Sequence, residues 1–164
     1  MRAPIALIRE VRIVKSSKSL MGMPVICSGK RLGRVSQISL ADDLTKVKGL
    51  WIDCGLRGTR FIDGTQLDML GEVAVLARES GKRSQCDERP MMRRALSTDG
   101  VRIGAITDAV IDEKTLEVKA LELTQGYVDD LLSGRRRIWQ FTVVKDGDVI
   151  IDQAAQRPEG GKTI

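Results

Sequence analysis

Histidine is absent from this 164-residue chain. Its absence removes His-based triads, His-ligated metal centres and imidazole acid–base chemistry. Aromatic side chains reach only 3%, too few for a stacking platform of the kind that reads single-stranded RNA. No stretch approaches the roughly 18 uninterrupted apolar residues that a membrane span needs. Arg9, Glu10, Arg12 and Lys15 interrupt the one N-terminal segment that resembles a signal-peptide apolar region. A cytoplasmic protein is expected. The three cysteines, Cys27, Cys54 and Cys86, form no C-x-x-C pair, and they read as reduced thiols.

Apolar residues make up 42% of the chain and charged residues 30%. That balance can bury a core, in one ordinary domain or two small ones. The net charge of +5 is unevenly placed. Up to Lys18 there are five basic side chains (Arg2, Arg9, Arg12, Lys15, Lys18) against the single acid Glu10. The remainder is nearly neutral, so the basic character belongs to an N-terminal extension over residues 1–17. Such extensions touch RNA, anionic lipid or acidic proteins, or simply aid solubility.

The chain repeats itself. Gly29 aligns with Gly100, Arg31 with Arg102, Gly33 with Gly104, Val47 with Val118, Lys48 with Lys119 and Leu50 with Leu121, always 71 apart (104 − 33). Conservative pairs lie between these identities, including Val35 with Ile106 and Ile52 with Leu123. An ungapped order of this kind points to duplication. Gly71-Glu72-Val73-Ala74-Val75 then matches Gly147-Asp148-Val149-Ile150-Ile151 at 76 apart (147 − 71), so the second copy has gained residues. The insertion is Val128 to Ser133, a short helical turn closed by Gly134. The repeats span 18–77 and 91–152, with a polar linker at 78–90 and a tail at 153–164.

Each copy reads as short strands. Ser28-Gly29 and Asp99-Gly100 are hairpin turns. Gly33 and Gly104 lie within strands, where glycine marks a bulge or a close backbone approach. Trp139, Phe141 and Val143 alternate with Gln140 and Thr142, which predicts a strand with one buried face.

Met21-Gly22-Met23-Pro24-Val25, the twice-occurring Gly-x-x-[Leu/Ile]-Gly-x-[Val/Ile] hairpin and the closing Gly-acid pair followed by apolar alternation resemble the PRC-barrel family. That family includes barrels similar to those of the photosynthetic reaction-centre H subunit, of RimM-type ribosome-maturation factors and of small YlmC/YmxH-type proteins of spore-forming bacteria. The second copy departs from the pattern, carrying Arg93-Arg94-Ala95-Leu96 where the Gly-x-Pro-Val start is expected. The resemblance implies an all-β fold: two small β-barrels in tandem, with approximate internal two-fold symmetry and short helical turns. It also implies a binding or assembly module without chemistry of its own, with a link to sporulation or envelope complexes.

Candidate sites are few. Gly160-Gly161-Lys162-Thr163 mimics the end of a phosphate-binding loop, but the glycine required five positions before Gly161 is Gln156. Asp108, Asp112, Glu113, Asp129 and Asp130 suggest a divalent-metal cluster, yet a turn and a helix start account for most of them. No nucleophile has a base at a recognisable spacing, so neither catalysis nor a cofactor or metal is expected. Arg135, Arg136 and Arg137 beside Trp139 form the sharpest local feature, suited to phosphates or a carboxylate-rich partner; the ordinary alternative is a solvated strand entry balanced by Asp129 and Asp130. Trp51 occupies the position of Glu122 in the second copy. Strand alternation turns it away from the face of Leu50 and Ile52, which places it at the junction of the repeats or on a partner patch. The expected function is a non-catalytic adaptor that binds a protein through these surfaces, with homo-oligomerisation left open. The competing expectation is an RNA- or ribosome-associated factor using Arg9, Arg12, Lys15 and the three arginines.

Overall fold

The computed structural model describes residues 14–87 and 91–156. Among these residues fourteen strands fall into two separate sheets. The first contains β2 (Pro24–Cys27), β3 (Lys30–Leu40), β4 (Val47–Asp53), β5 (Thr59–Asp63), β6 (Leu67–Leu70), β7 (Val75–Ala77) and β8 (Lys82–Arg83), in the order β6-β7-β2-β3-β4-β5-β8. The second contains β9 (Arg93–Ser97), β10 (Arg102–Asp112), β11 (Val118–Thr124), β12 (Arg136–Ile138), β13 (Thr142–Val143) and β14 (Val149–Ile151), in the order β12-β11-β10-β9-β14-β13. The remaining strand, β1 (Val14–Ser16), also pairs with β10, in the second sheet. Among the described residues helix is confined to α1 (Ser17–Leu20), α2 (Tyr127–Ser133) and three single 3₁₀ turns.

The duplication is visible in the hydrogen-bond ladders. β2-β3-β4-β5 repeats as β9-β10-β11-β12, and in both copies the closing strand pairs in parallel with the opening one: β7 with β2, and β14 with β9. Leu50 faces Ile62 across β4 and β5, as Leu121 faces Ile138 across β11 and β12. The five-residue gain (138 − 62 against 121 − 50) is therefore real, and it forms α2, closed by Gly134 at φ 73° as expected.

The closing strands correct the sequence alignment. Val75 and Val149 occupy the same place, opposite Val25 and Ala95, so they correspond at 74 apart (149 − 75) rather than 76. The first copy spends residues on a 3₁₀ turn at Gly64–Gln66, capped by Asp63, which the second copy lacks. A slip of two residues preserves the faces, which is why the apolar pattern alone did not reveal it. The strand expected through Trp139 and Phe141 is likewise broken between β12 and β13. Gln156 satisfies that break, accepting from the Trp139 and Gln140 amides and donating to the Gln140 carbonyl.

Both sheets curl into half-barrels, and bulges provide the curvature. Register shifts interrupt β3–β4 between Val35 and Gln37, and β10–β11 between Ile106 and Asp108. Gly33 allows the close approach: a Cβ there would collide with the Asp53 carbonyl and with Ile52, and one on Gly104 would collide with the Thr124 carbonyl. One contiguous core joins the halves. Val35, Leu50, Ile52, Ile62 and Leu70 cluster with Ile106, Ile111, Leu121, Leu123 and Ile138. A repeat of about 60 residues buries little by itself, so sharing one core stabilises both.

The seam is hydrogen-bonded as well as apolar. The Val47 amide donates to the Leu116 carbonyl at 2.9 Å, and the Val118 amide donates to Thr45 at 2.8 Å. These bonds flank a bridge between Lys46 and Glu117. Two equivalent turns, each containing a leucine at positive φ (Leu44 58°, Leu116 62°), thus splice to one another. Among the described residues no helix is long and apolar enough to cross a membrane.

Candidate functional site

The inserted helix and the strand that follows it form the most differentiated surface between the two copies. Gly126 precedes α2, and Asp129 and Asp130 lie in its first turn, where carboxylates complement the helix dipole. The Asp130 carboxylate also accepts from the Thr124 hydroxyl at 2.5 Å, which holds the helix over the end of β11. With its polar side tied down, α2 presents Val128, Leu131 and Leu132 to solvent at 66, 68 and 81% exposure. Isolated exposed apolar residues are ordinary, but three on two helical turns form a patch.

The chain then leaves α2 through Gly134 and enters β12 with the three arginines, all of them exposed. They do not form one cluster. Arg137 lies opposite Glu122, and Arg135 reaches the same carboxylate at 3.8 Å and Asp130 at 3.9 Å. Arg136 lies opposite Leu123 and so projects from the other face of the sheet, the face that buries Ile138. Of the two balancing acids expected from sequence, Asp130 reaches Arg135 only, at a distance where an exposed pair contributes little, and no ion pair of Asp129 is seen among the described residues. Among the described residues no ion pair reaches Arg136 or Arg137.

β12 is also an edge. Its counterpart β5 is covered by β8, which pairs Arg83 with Arg60 and Lys82 with Phe61. Among the described residues, β12 pairs only with β11. Among the described residues the second copy therefore leaves the outer side of β12 without a strand partner, beside an apolar helix and two cations without ion pairs.

The other predicted residues lie elsewhere. Arg9 and Arg12 fall outside the described residues, as does the Gly160-Gly161-Lys162-Thr163 segment. Lys15 is in β1, pairs with Ile111, and donates through Nζ to the Gly71 carbonyl. It thus spans from the second sheet to the β6–β7 turn of the first. Trp51 does turn away from the face of Leu50 and Ile52 and lies outside the core cluster. Its ring packs against Phe61 at 4.8 Å between centroids, and it is only 7% exposed, which leaves a partner little of the indole to touch.

The acidic residues are occupied with structure. Asp112 is buried, and burial alone would raise its pKa. The Thr115 and Lys114 amides and the Thr115 hydroxyl outweigh this and hold it below the ordinary 3.8. Asp108, 1% exposed, accepts from the Ser16 and Ser17 hydroxyls and from the Lys18 and Ala109 amides, anchoring β1 and α1 on β10. Sequence reasoning considered Asp108 only as a metal ligand. The signal it passed over is an acid inside the apolar run from Ile106 to Ile111. Among the described residues no three His, Cys, Asp or Glu side chains are grouped to hold a metal ion.

No protein-family model matches this chain, and no curated protein is significantly similar to it.

Proposed function

We propose that this chain is a non-catalytic adaptor, a tandem module of PRC-barrel type, that binds a protein partner at the β12 edge of its second repeat. One observation carries the reading: among the described residues β12 has no covering strand where its counterpart has one, and it is flanked by exposed Arg136 and Arg137 and by the apolar residues of α2. An unpaired edge accepts an extended segment by strand addition, with main-chain bonds supplying affinity and flanking side chains supplying specificity. The partner segment that fits is acidic with interspersed apolar residues. Arginine suits carboxylates through its bidentate, weakly hydrated fork.

The competing reading is RNA or ribosome association through the same arginines and the basic N-terminal residues. Salt and nuclease separate the two. Immobilised protein is compared with the Arg136→Glu/Arg137→Glu variant in nuclease-treated extract at moderate salt. Proteins retained by the wild type and lost by the variant support the adaptor. Retention that vanishes with nuclease, together with RNA affinity falling steeply from low to physiological salt, overturns it in favour of phosphate recognition.

A further inference from the structure

A cavity of about 450 Å³ opens at the seam of the two repeats, away from β12. Its walls are Ile38 and Leu40 of β3, Leu44 of the adjoining turn, and Met21, Met91 and Met92. Three of the six methionines of the chain converge here. Methionine is flexible and polarisable, and it lines sites that adapt to apolar ligands. The polar lining comprises Ser17, Lys18, Gln37, Arg93 and Thr107, which includes two cations and no acid. Asp108, next to Thr107 in β10, is already occupied by the four donors of β1, α1 and β10 described above. Arg93 is steadied by the Asp42 and Gly147 carbonyls at 3.4 Å and makes no ion pair among the described residues, although Asp42, Asp43, Asp146 and Asp148 line the adjoining pocket that it also borders.

Internal symmetry supplies a second observation. Ser36 and Thr107 are the bulge residues of β3 and β10, each at the register shift between matched strands. The Ser36 hydroxyl donates to the Trp51 carbonyl at 3.1 Å. Thr107 lines the cavity, and its buried hydroxyl finds no partner among the described residues. A buried hydroxyl without a partner is costly, and such groups persist where a ligand or water completes them. The volume, the predominantly apolar wall and the few convergent polar groups are those of a small-molecule site.

We infer that this seam cavity binds a free single-chain carboxylate, its alkyl chain against Ile38, Leu40, Leu44 and the methionines, and its anionic head near Lys18 and Arg93. Thr107 donates to the ligand from the wall. The inference is independent of the β12 reading, since none of its residues belongs to β12 or α2.

The test is calorimetric titration of the full chain with sodium decanoate below its micellar range, with decyltrimethylammonium as the cationic control. Decanoate should saturate one site, at least about tenfold more tightly than the cationic control, the scale of one charge-assisted hydrogen bond. Lys18→Glu, at an exposed position, should erase that preference, and Thr107→Val should weaken decanoate several-fold. Thermal unfolding of each variant verifies that it remains folded. Equal affinity for both amphiphiles, absence of saturation, or indifference to both substitutions overturns the proposal. Co-sedimentation with phosphatidylglycerol vesicles that exceeds decanoate binding also overturns it, in favour of a membrane surface.

Discussion

Replacing Asp108 by alanine should release the N-terminal arm from the second sheet. The carboxylate is 1% exposed and accepts from four donors: the Ser16 and Ser17 hydroxyls, the Lys18 amide at 3.3 Å and the Ala109 amide at 2.8 Å. A hydrogen bond to a charged group contributes about 1.5–3 kcal/mol net, so a simple tally would reach roughly 6–12 kcal/mol. Two corrections reduce it. Ser16, Ser17 and Lys18 are half-buried or exposed, so water replaces much of what they lose. The buried carboxylate also carries a desolvation cost that disappears with it. We expect Asp108→Ala to lose about 2–4 kcal/mol and Asp108→Asn, which keeps one acceptor oxygen, about half of that. Urea unfolding gives the magnitude, and hydrogen exchange gives the place. Amides of residues 14–20 and of their partners Val110 to Asp112 should lose protection before the β3–β4 ladder does. A variant within about 0.5 kcal/mol of wild type, with protection unchanged in the arm, would refute the reasoning, because surface-like substitutions fall in that range.

Three further outcomes follow from the same contacts. Gly33→Ala should destabilise by about 1–3 kcal/mol as an overpacking change, because its methyl would meet the Asp53 carbonyl and Ile52, whereas Gly29→Ala in the open hairpin turn meets nothing and suffers only its positive φ of 74°; equal midpoints in urea for Gly33→Ala and wild type would contradict the close approach. Trp51→Phe should cost under about 1.5 kcal/mol, since it removes a buried indole N–H that finds no acceptor among the described residues, while Trp51→Ala should cost about 3–5 kcal/mol through the cavity beside Phe61; thermal unfolding of the pair checks this. Stability should fall as pH drops below about 4: Asp63, held down mainly by the Thr65 amide and hydroxyl, and Asp148, held down mainly by Arg94, both have pKa values below the ordinary 3.8, as does Asp112. The unfolded chain then binds more protons than the native one, so the stabilisation is present above 3.8 and is lost as pH falls through the lower native values; a denaturation midpoint constant from pH 6 to pH 2.5 would count against it.

Much of the architecture was legible because duplication lets a sequence test itself. Gly33 and Gly104 could be assigned to close strand contacts because two copies placed glycine within the same hairpin, and a Cβ at either position does collide with backbone. The Val128–Ser133 insertion declared itself as the break in an otherwise constant spacing. What escaped notice were interactions between copies, which no within-copy pattern encodes. β1 pairing with β10, the turn bridge between Lys46 and Glu117, and the Asp108 anchor all join residues about 70 to nearly 100 positions apart. The arginine run was legible as composition but not as geometry. Alternation along β12 sends Arg136 to the face opposite Arg137, and only the register with Leu123 and Glu122 reveals that.

The two repeats diverge where their shared core imposes no constraint. Positions that face the core stay apolar in both copies, as with Leu50 and Leu121 or Ile62 and Ile138, because either substitution would open a cavity in a single packed cluster. Positions on the outer face are released from that requirement. There Trp51 stands against Glu122, β8 covers one edge while β12 remains uncovered among the described residues, and a three-residue 3₁₀ turn at Gly55–Arg57 corresponds to the seven-residue α2. The seam follows the same logic, since a Ser36 hydroxyl satisfied within its own sheet corresponds to a buried Thr107 hydroxyl without a partner among the described residues, on a residue that lines a cavity. Duplication thus produced a scaffold that is symmetric where burial fixes the side chains. The asymmetric remainder, β12 with α2 and the seam cavity, is where polar groups without partners among the described residues and exposed apolar area are found.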